Sequence, residues 1–157
     1  MSNTEPRIND ALLSGAAGAV ALTAVHQVAR LVTDSAPRMD VVGMRALSRG
    51  ADAADANVPR DNRLYNMTLA GDLIFNSAYY ALATTWVRGA ALGLAAGIGA
   101  LVLPQKMGLG NPPKSELLSN QIMTVSWYLL GGLTAACTAQ YLSRRREDTV
   151  REAGGIY

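Results

Sequence analysis

"MTLAGDLIFNSAYYALATTW", Met67 to Trp86, is the stretch on which the reading of this chain turns. It has one full charge, Asp72, with Asn76 one helical turn later. At about 1.5 Å per residue, some 20 helical residues cross a hydrocarbon core of about 30 Å. A run of this length with a carboxylate near its middle therefore raises the question of what shelters the charge. Thr68, Asp72, Asn76 and Tyr80 are spaced by four, so on a helix they share one face. An aspartate at the centre of a bilayer costs about 2.5–3.5 kcal/mol on insertion scales, so that face must turn away from lipid.

Three other runs have the same texture: Ala11 to Val32, with no charge before Arg30, then Gly89 to Leu103 and Gln121 to Leu142, both uncharged. Half of the 157 residues are apolar and 17% are charged, against roughly 25% in soluble proteins. A mean hydropathy of only +0.13 averages nearly charge-free runs with charge-crowded connectors. A soluble Ala-rich four-helix bundle would need charged outer faces, and these runs have none. The expectation is an all-α, four-transmembrane-helix bundle forming one integral membrane domain, with spans at about 11–32, 64–86, 88–106 and 121–142. The flanks agree: Arg88 lies at a tight reversal after Trp86, and Trp127, Tyr128 and Tyr141 stand near the ends of the last run. "SRRRED", Ser143 to Asp148, follows that run like a stop at the membrane surface. "MSNTEPRINDALLSG" lacks the features of a cleaved secretory signal, so the first run is expected to stay.

The polar segment 33–63 is long for a structureless connector. Met39, Val42, Met44 and Leu47 alternate in it with Asp40, Arg45 and Arg49, so Pro37 to Ser48 reads as a short amphipathic helix on the membrane surface or against the bundle. An ordinary solvated connector is the alternative. "PQKMGLGNPPKSE" between the last two runs is a Pro/Gly turn region.

A formal net charge of +2 without a basic stripe excludes a nucleic-acid partner. One cysteine, Cys137, and one histidine, His26, leave no disulfide and no Cys/His zinc cluster, so no metal and no cofactor are expected. Haem held by His26 would need a second axial ligand from elsewhere. "GAAGAV" is not a phosphate loop, and no nucleophile–base–orienter motif is present, so the chain reads as non-enzymatic. Cys137 reads as a small packing residue.

Gly89, Gly93 and Gly97 form a double small-xxx-small stripe; Gly15 and Ala19 continue one in the first run, and Gly131 and Ala135 one in the last. Such stripes let backbones meet closely, which in lipid is what holds helices together. Their partner is either another helix of the chain or a second copy. His26, Gln27 and Arg30, at the end of the first run, are the candidate partners for the Asp72 face if the first two runs are antiparallel. One reading is a buried polar clasp that sets helix register. The other is a path for protons or cations with Asp72 as its titratable element. The reading the sequence favours is a packing or accessory protein acting through Gly/Ala faces, as a homo-oligomer or in a larger membrane complex; the alternative is a small proton- or cation-linked transporter or channel. Asp72 sealed by Arg30 or His26 would favour the first.

With four spans, Arg7, Arg88, Arg144, Arg145, Arg146 and Arg151 share a side with both termini, and Arg30, Arg38, Arg45, Arg49, Arg60, Arg63, Lys106 and Lys114 lie opposite. The compact arginine triplet places the termini in the cytoplasm.

From Arg88 to Ala136, an Ala/Gly-rich run, the turn "LPQKMGLGNPP" (Leu103 to Pro113) and a helix with "YLLGGL" resemble the end of the YagU-like group of small bacterial inner-membrane proteins. Members of that group often carry histidine in their final helices, and this chain has none there. The resemblance implies a four-helix bacterial inner-membrane protein and no particular chemistry.

Overall fold

The computed structural model describes residues 8–154, which are helical apart from short connectors. Five helices follow one another: α1 (Ile8–Val32), α2 (Met39–Ala53), α3 (Asp61–Tyr80), α4 (Trp86–Lys106) and α5 (Leu118–Gly154). Arg7, counted above with the terminal side, lies outside the described residues.

Three helices are long and apolar enough to cross a membrane: α1, α4 and Leu118–Glu152 of α5. The fourth expected span, α3, does not meet that standard. It starts with Asp61 and Arg63, carries Asp72 and Asn76, and stops at Tyr80. The reversal expected at Arg88 falls earlier, at residues 81–85, because Thr85 caps α4 by accepting the Arg88 backbone N–H at 3.3 Å. Trp86 thus opens α4 instead of ending the preceding span, and Arg88 lies in the first turn of α4, its guanidinium 3.2 Å from the Thr84 hydroxyl. At the other end of the chain, α5 carries on for 37 residues. "SRRRED" is therefore a charged helical extension and not the end of the helix, as suits residues of good helix propensity. The segment after Pro37 forms α2, displaced to Met39–Ala53 from the expected 37–48.

The long helices alternate in direction. Facing pairs on α4 and α5 descend in step: Gly89 with Gly132, Gly93 with Leu129, Gly97 with Val125. Asp10 pairs with Arg146 while His26 meets Trp127, so α1 also runs antiparallel to α5. Gly15 lies on Ser77 and Ala81, and Gln27 reaches Tyr65, which makes α3 antiparallel to α1. The helices therefore pack in the order α4, α5, α1, α3, with α2 laid against α3. The α3–α4 turn, the start of α1 and the charged tail of α5 share one end. α2 and the 107–117 connector share the other.

The surface is apolar where a soluble protein's would be polar. Leu31 is 85% exposed, Val87 79% and Phe75 77%, while Ser14, Thr68, Asn120 and Thr124 are buried. That inversion, with the three long apolar helices, is compatible with an integral membrane protein. Cys137 belongs to the outer surface of α5, not to a packed interior. α5 turns Gly131, Gly132, Ala135 and Ala136 inward, and Cys137 falls on the opposite side.

The glycine stripes meet within the chain. A Cβ at Gly93 would lie 2.6 Å from Leu129 Cα, and one at Gly97 2.7 Å from Val125 Cα. At Gly18 it would lie 2.5 Å from the Gly131 carbonyl, next to Ala135, and at Gly15 it would meet the Ser77 carbonyl. Ala19 and Ala135 are fully buried. Backbone cannot retreat as a side chain can, so even alanine forces helices apart there. Gly93→Ala should lower stability by about 1–3 kcal/mol. Gly99→Ala, whose Cβ would meet Leu103 at an ordinary 3.4 Å, should leave thermal unfolding of the detergent-purified protein unchanged. Equal melting curves for the two variants would contradict this packing.

Candidate functional site

The end of the bundle that carries α2 is held by cation-to-carbonyl ties. α4 ends in a glycine cap: Gly108 has φ +73°, its N–H bonds to Gln105 O at 3.0 Å, and Leu109 N–H bonds to Pro104 O at 2.8 Å. The carbonyls turned out beyond it are taken up by α2, with Arg49 on Met107 O at 2.9 Å and Arg45 on the Leu109 and Asn111 carbonyls at 3.1 Å. Lys114 reaches Asp34 O at 2.6 Å and ties the same connector to the end of α1. α2 is thus a lid fixed on the helix ends.

Beneath it lies a cavity of about 50 Å³ between α1, α2, α3 and α5, enough for a few water molecules. Of the residues singled out from sequence, His26, Gln27, Arg30, Asp72 and Asn76 line it together. Thr68 and Tyr80, on the same stripe of α3, do not. Thr68 is buried under α2, where a Cβ at Gly43 would come 2.5 Å from its methyl. Tyr80 is wholly buried and donates its hydroxyl to Tyr128 O at 2.8 Å. With Leu22, Ala83 and Ala135 it fills the section between the cavity and the α3–α4 turn, so the chamber is closed in that direction.

The candidate partners of Asp72 are engaged elsewhere. Arg30 donates to the Tyr65 hydroxyl at 3.0 Å and to Gln27 Oε1 at 3.5 Å, lies 3.5 Å from the Asp40 carboxylate, and stacks over the Tyr65 ring. Gln27 also donates to Tyr65, at 2.7 Å. His26 Nδ1 is 3.0 Å from the Leu22 carbonyl, which can only accept, so this nitrogen carries a proton. The ring stands edge-on to Trp127, and its buried Nε2 has no partner among the described residues. No described side chain hydrogen-bonds or ion-pairs with Asp72, whose nearest surroundings include the backbone of Gly43. A Cβ there would lie 3.6 and 3.7 Å from the two carboxylate oxygens.

Asp40 and Tyr128 were read from sequence only as a charge of the connector helix and a flanking aromatic, and Tyr65 was not singled out; all three belong to the site. Asp40 is the second carboxylate of the chamber, and it is fully compensated. Burial works against its charge, but the Arg38 fork at 2.9 Å and Arg30 beyond it outweigh that cost and hold its carboxyl below the usual range. The Arg38–Asp40 spacing at the start of a helix was a visible signal. Nothing in the sequence showed that the pair would fold over Asp72. The chain matches no protein-family model, no curated protein and no solved structure.

A carboxyl lowered in the folded state stabilises above its unfolded pKa of about 3.9, and that stabilisation is lost as pH falls through the lower folded value. The hold of Asp40 on α2 should therefore be constant through the neutral range and fail only below about pH 4. Hydrogen exchange of the α2 amides at a series of pH values, corrected for intrinsic rates, checks this. Asp40→Asn should speed that exchange at neutral pH.

Proposed function

We propose that this is a four-span, non-enzymatic protein of a bacterial inner membrane, with both termini cytoplasmic, working as a small proton- or cation-linked transporter with Asp72 at its binding site. The observation that carries the reading is a carboxylate on a chamber between α1, α2, α3 and α5 with which no described side chain makes a hydrogen bond or ion pair. A polar clasp would have required Arg30 or His26 on Asp72; Arg30 is on Tyr65 and Asp40, and His26 bonds through Nδ1 to the Leu22 carbonyl, with its Nε2 on no described partner. α3 serves as the fourth span on this reading. Its 20 residues give about 30 Å of helix, it runs antiparallel beside α1, and its outward residues Met67, Ile74 and Phe75 are apolar and exposed. Thr68, Asp72 and Asn76 turn inward, which is how an ionisable residue is accommodated in a membrane. The resemblance to the YagU-like group and the arginine triplet support the membrane and the orientation.

The accessory reading rested on Gly/Ala faces free to meet a partner. Those at Gly15, Gly89, Gly93, Gly97 and Gly131 are occupied by helices of the same chain. The plug at Tyr80 argues for a carrier that must rearrange, not for an open channel.

Reconstitution in proteoliposomes tests this. With an internal pH dye and an imposed gradient, the wild type should discharge the gradient faster than protein-free vesicles. Asp72→Asn, close in shape and uncharged, should fall to the protein-free rate while remaining monodisperse. Equal rates for wild type and Asp72→Asn would dismiss Asp72 as the coupling group.

A further inference from the structure

The helices α3 and α4 follow each other in sequence yet separate soon after their turn. Tyr79 donates its hydroxyl to Leu92 O at 3.0 Å and closes the turn end. Above that bond the two helices diverge around a groove of about 590 Å³, within the roughly 300–1,000 Å³ usual for small-molecule sites. Its walls are apolar: Phe75 and Tyr79 on α3, and Ala96, Gly99 and Leu103 on α4. α2 closes it at the far end with Val42, Gly43 and Ala46. The mouth is rimmed by Phe75, 77% exposed, and Leu103, 54% exposed, so it opens sideways to whatever surrounds the bundle.

The groove and the polar chamber are neighbours with a common wall. Met39, Asp72, Asn76 and Tyr128 line both. A molecule lying along the groove would bring one end to Asp72 and rest the remainder on alanine, glycine and aromatic surface. Both arginines at the chamber are on Asp40, Arg30 at 3.5 Å and Arg38 at 2.9 Å, and no described side chain makes an ion pair with Asp72. Complementarity therefore asks for one positive charge with N–H donors joined to one apolar body.

Resting on the Asp72 reading above, we propose that the transported cation is an amphiphilic amine: a protonated primary ammonium seated on Asp72, its hydrocarbon part lying in the α3–α4 groove and entering sideways from the bilayer. The small size of Gly99 then has a purpose distinct from helix packing. A Cβ at Gly99 would meet no backbone and only Leu103 of its own helix, so nothing in the bundle requires glycine there.

The test is retention of labelled decylamine by the protein in nanodiscs, with empty nanodiscs subtracted. Methylamine serves as a head-only competitor and decanol as a tail-only competitor. Wild type should retain decylamine, and neither competitor should displace it at equal concentration. Asp72→Asn should weaken retention by about tenfold or more, since it removes the counter-charge. Gly99→Leu and Ala96→Leu, which narrow the groove, should weaken decylamine retention by a similar factor while both variants remain monodisperse. Two groove variants are used so that a folding failure in one does not decide the result. Displacement by decanol alone would make the groove an acyl-chain site and overturn the proposal. Displacement by methylamine, with no effect of the groove variants, would confine binding to the chamber and overturn it as well. Absence of decylamine retention alongside Asp72-dependent proton discharge would overturn this inference and leave the transporter reading standing. Loss of that discharge from the wild type would strike the transporter reading itself.

Discussion

The close approach of α5 to its two neighbours is the constraint on which the structure depends. On one side Gly89, Gly93 and Gly97 let α4 settle against the α5 backbone. On the other Gly18 and Gly131 do the same for α1. In a bilayer, apolar side chains gain nothing by leaving lipid for protein, so contact must come from backbones near enough for dispersion and from polar groups that find partners. α5 is thereby a central post, and α3 is held mainly through α1 and not by α5. That asymmetry is what opens space beside α3. Three tightly packed helices leave α3 standing apart from α4 and largely from α5; the polar chamber lies between α3, α1 and α5, and the apolar groove between α3 and α4.

α2 completes the arrangement by joining its two chemistries. Its arginines take the carbonyls released where α4 ends, and its Asp40 takes Arg38 and Arg30. Capturing Arg30 has an effect on Asp72: the cation nearest in sequence to the expected clasp is directed to the lid and to Tyr65. A carboxylate without an ion pair is costly to bury. Its setting between a small polar chamber and an apolar groove is the physical ground for reading it as a place where a cation is received.

Much of this was legible in the chain. Charge-free runs, small residues every fourth position and the inward stripe of α3 follow from helical periodicity, and they predicted the helices and close contact at the glycine stripes, but left open whether the partner was the same chain or a second copy. Element ends were less legible. Thr85 acting as a cap moved the reversal to residues 81–85, and the charged tail stayed helical because nothing in it breaks a helix. The site was legible in part, since the spacing of four that groups Thr68, Asp72, Asn76 and Tyr80 cannot say at what depth each meets a neighbour. Thr68 went under α2 and Tyr80 into the plug, while the middle two reached the cavity.

What the sequence by itself determined is local: which segments are helical, which faces are small, apolar or polar, and that Asp72 must point inward, because each follows from residue chemistry repeated at helical spacing. Which charges meet was decided only by the tertiary structure. Asp40, Tyr65 and Tyr128 come from three different helices, and whether Arg30 neutralises Asp72 or Asp40 depends on where α2 lies across the bundle end. That position rests on hydrogen bonds between residues some sixty apart, a relation no periodicity records.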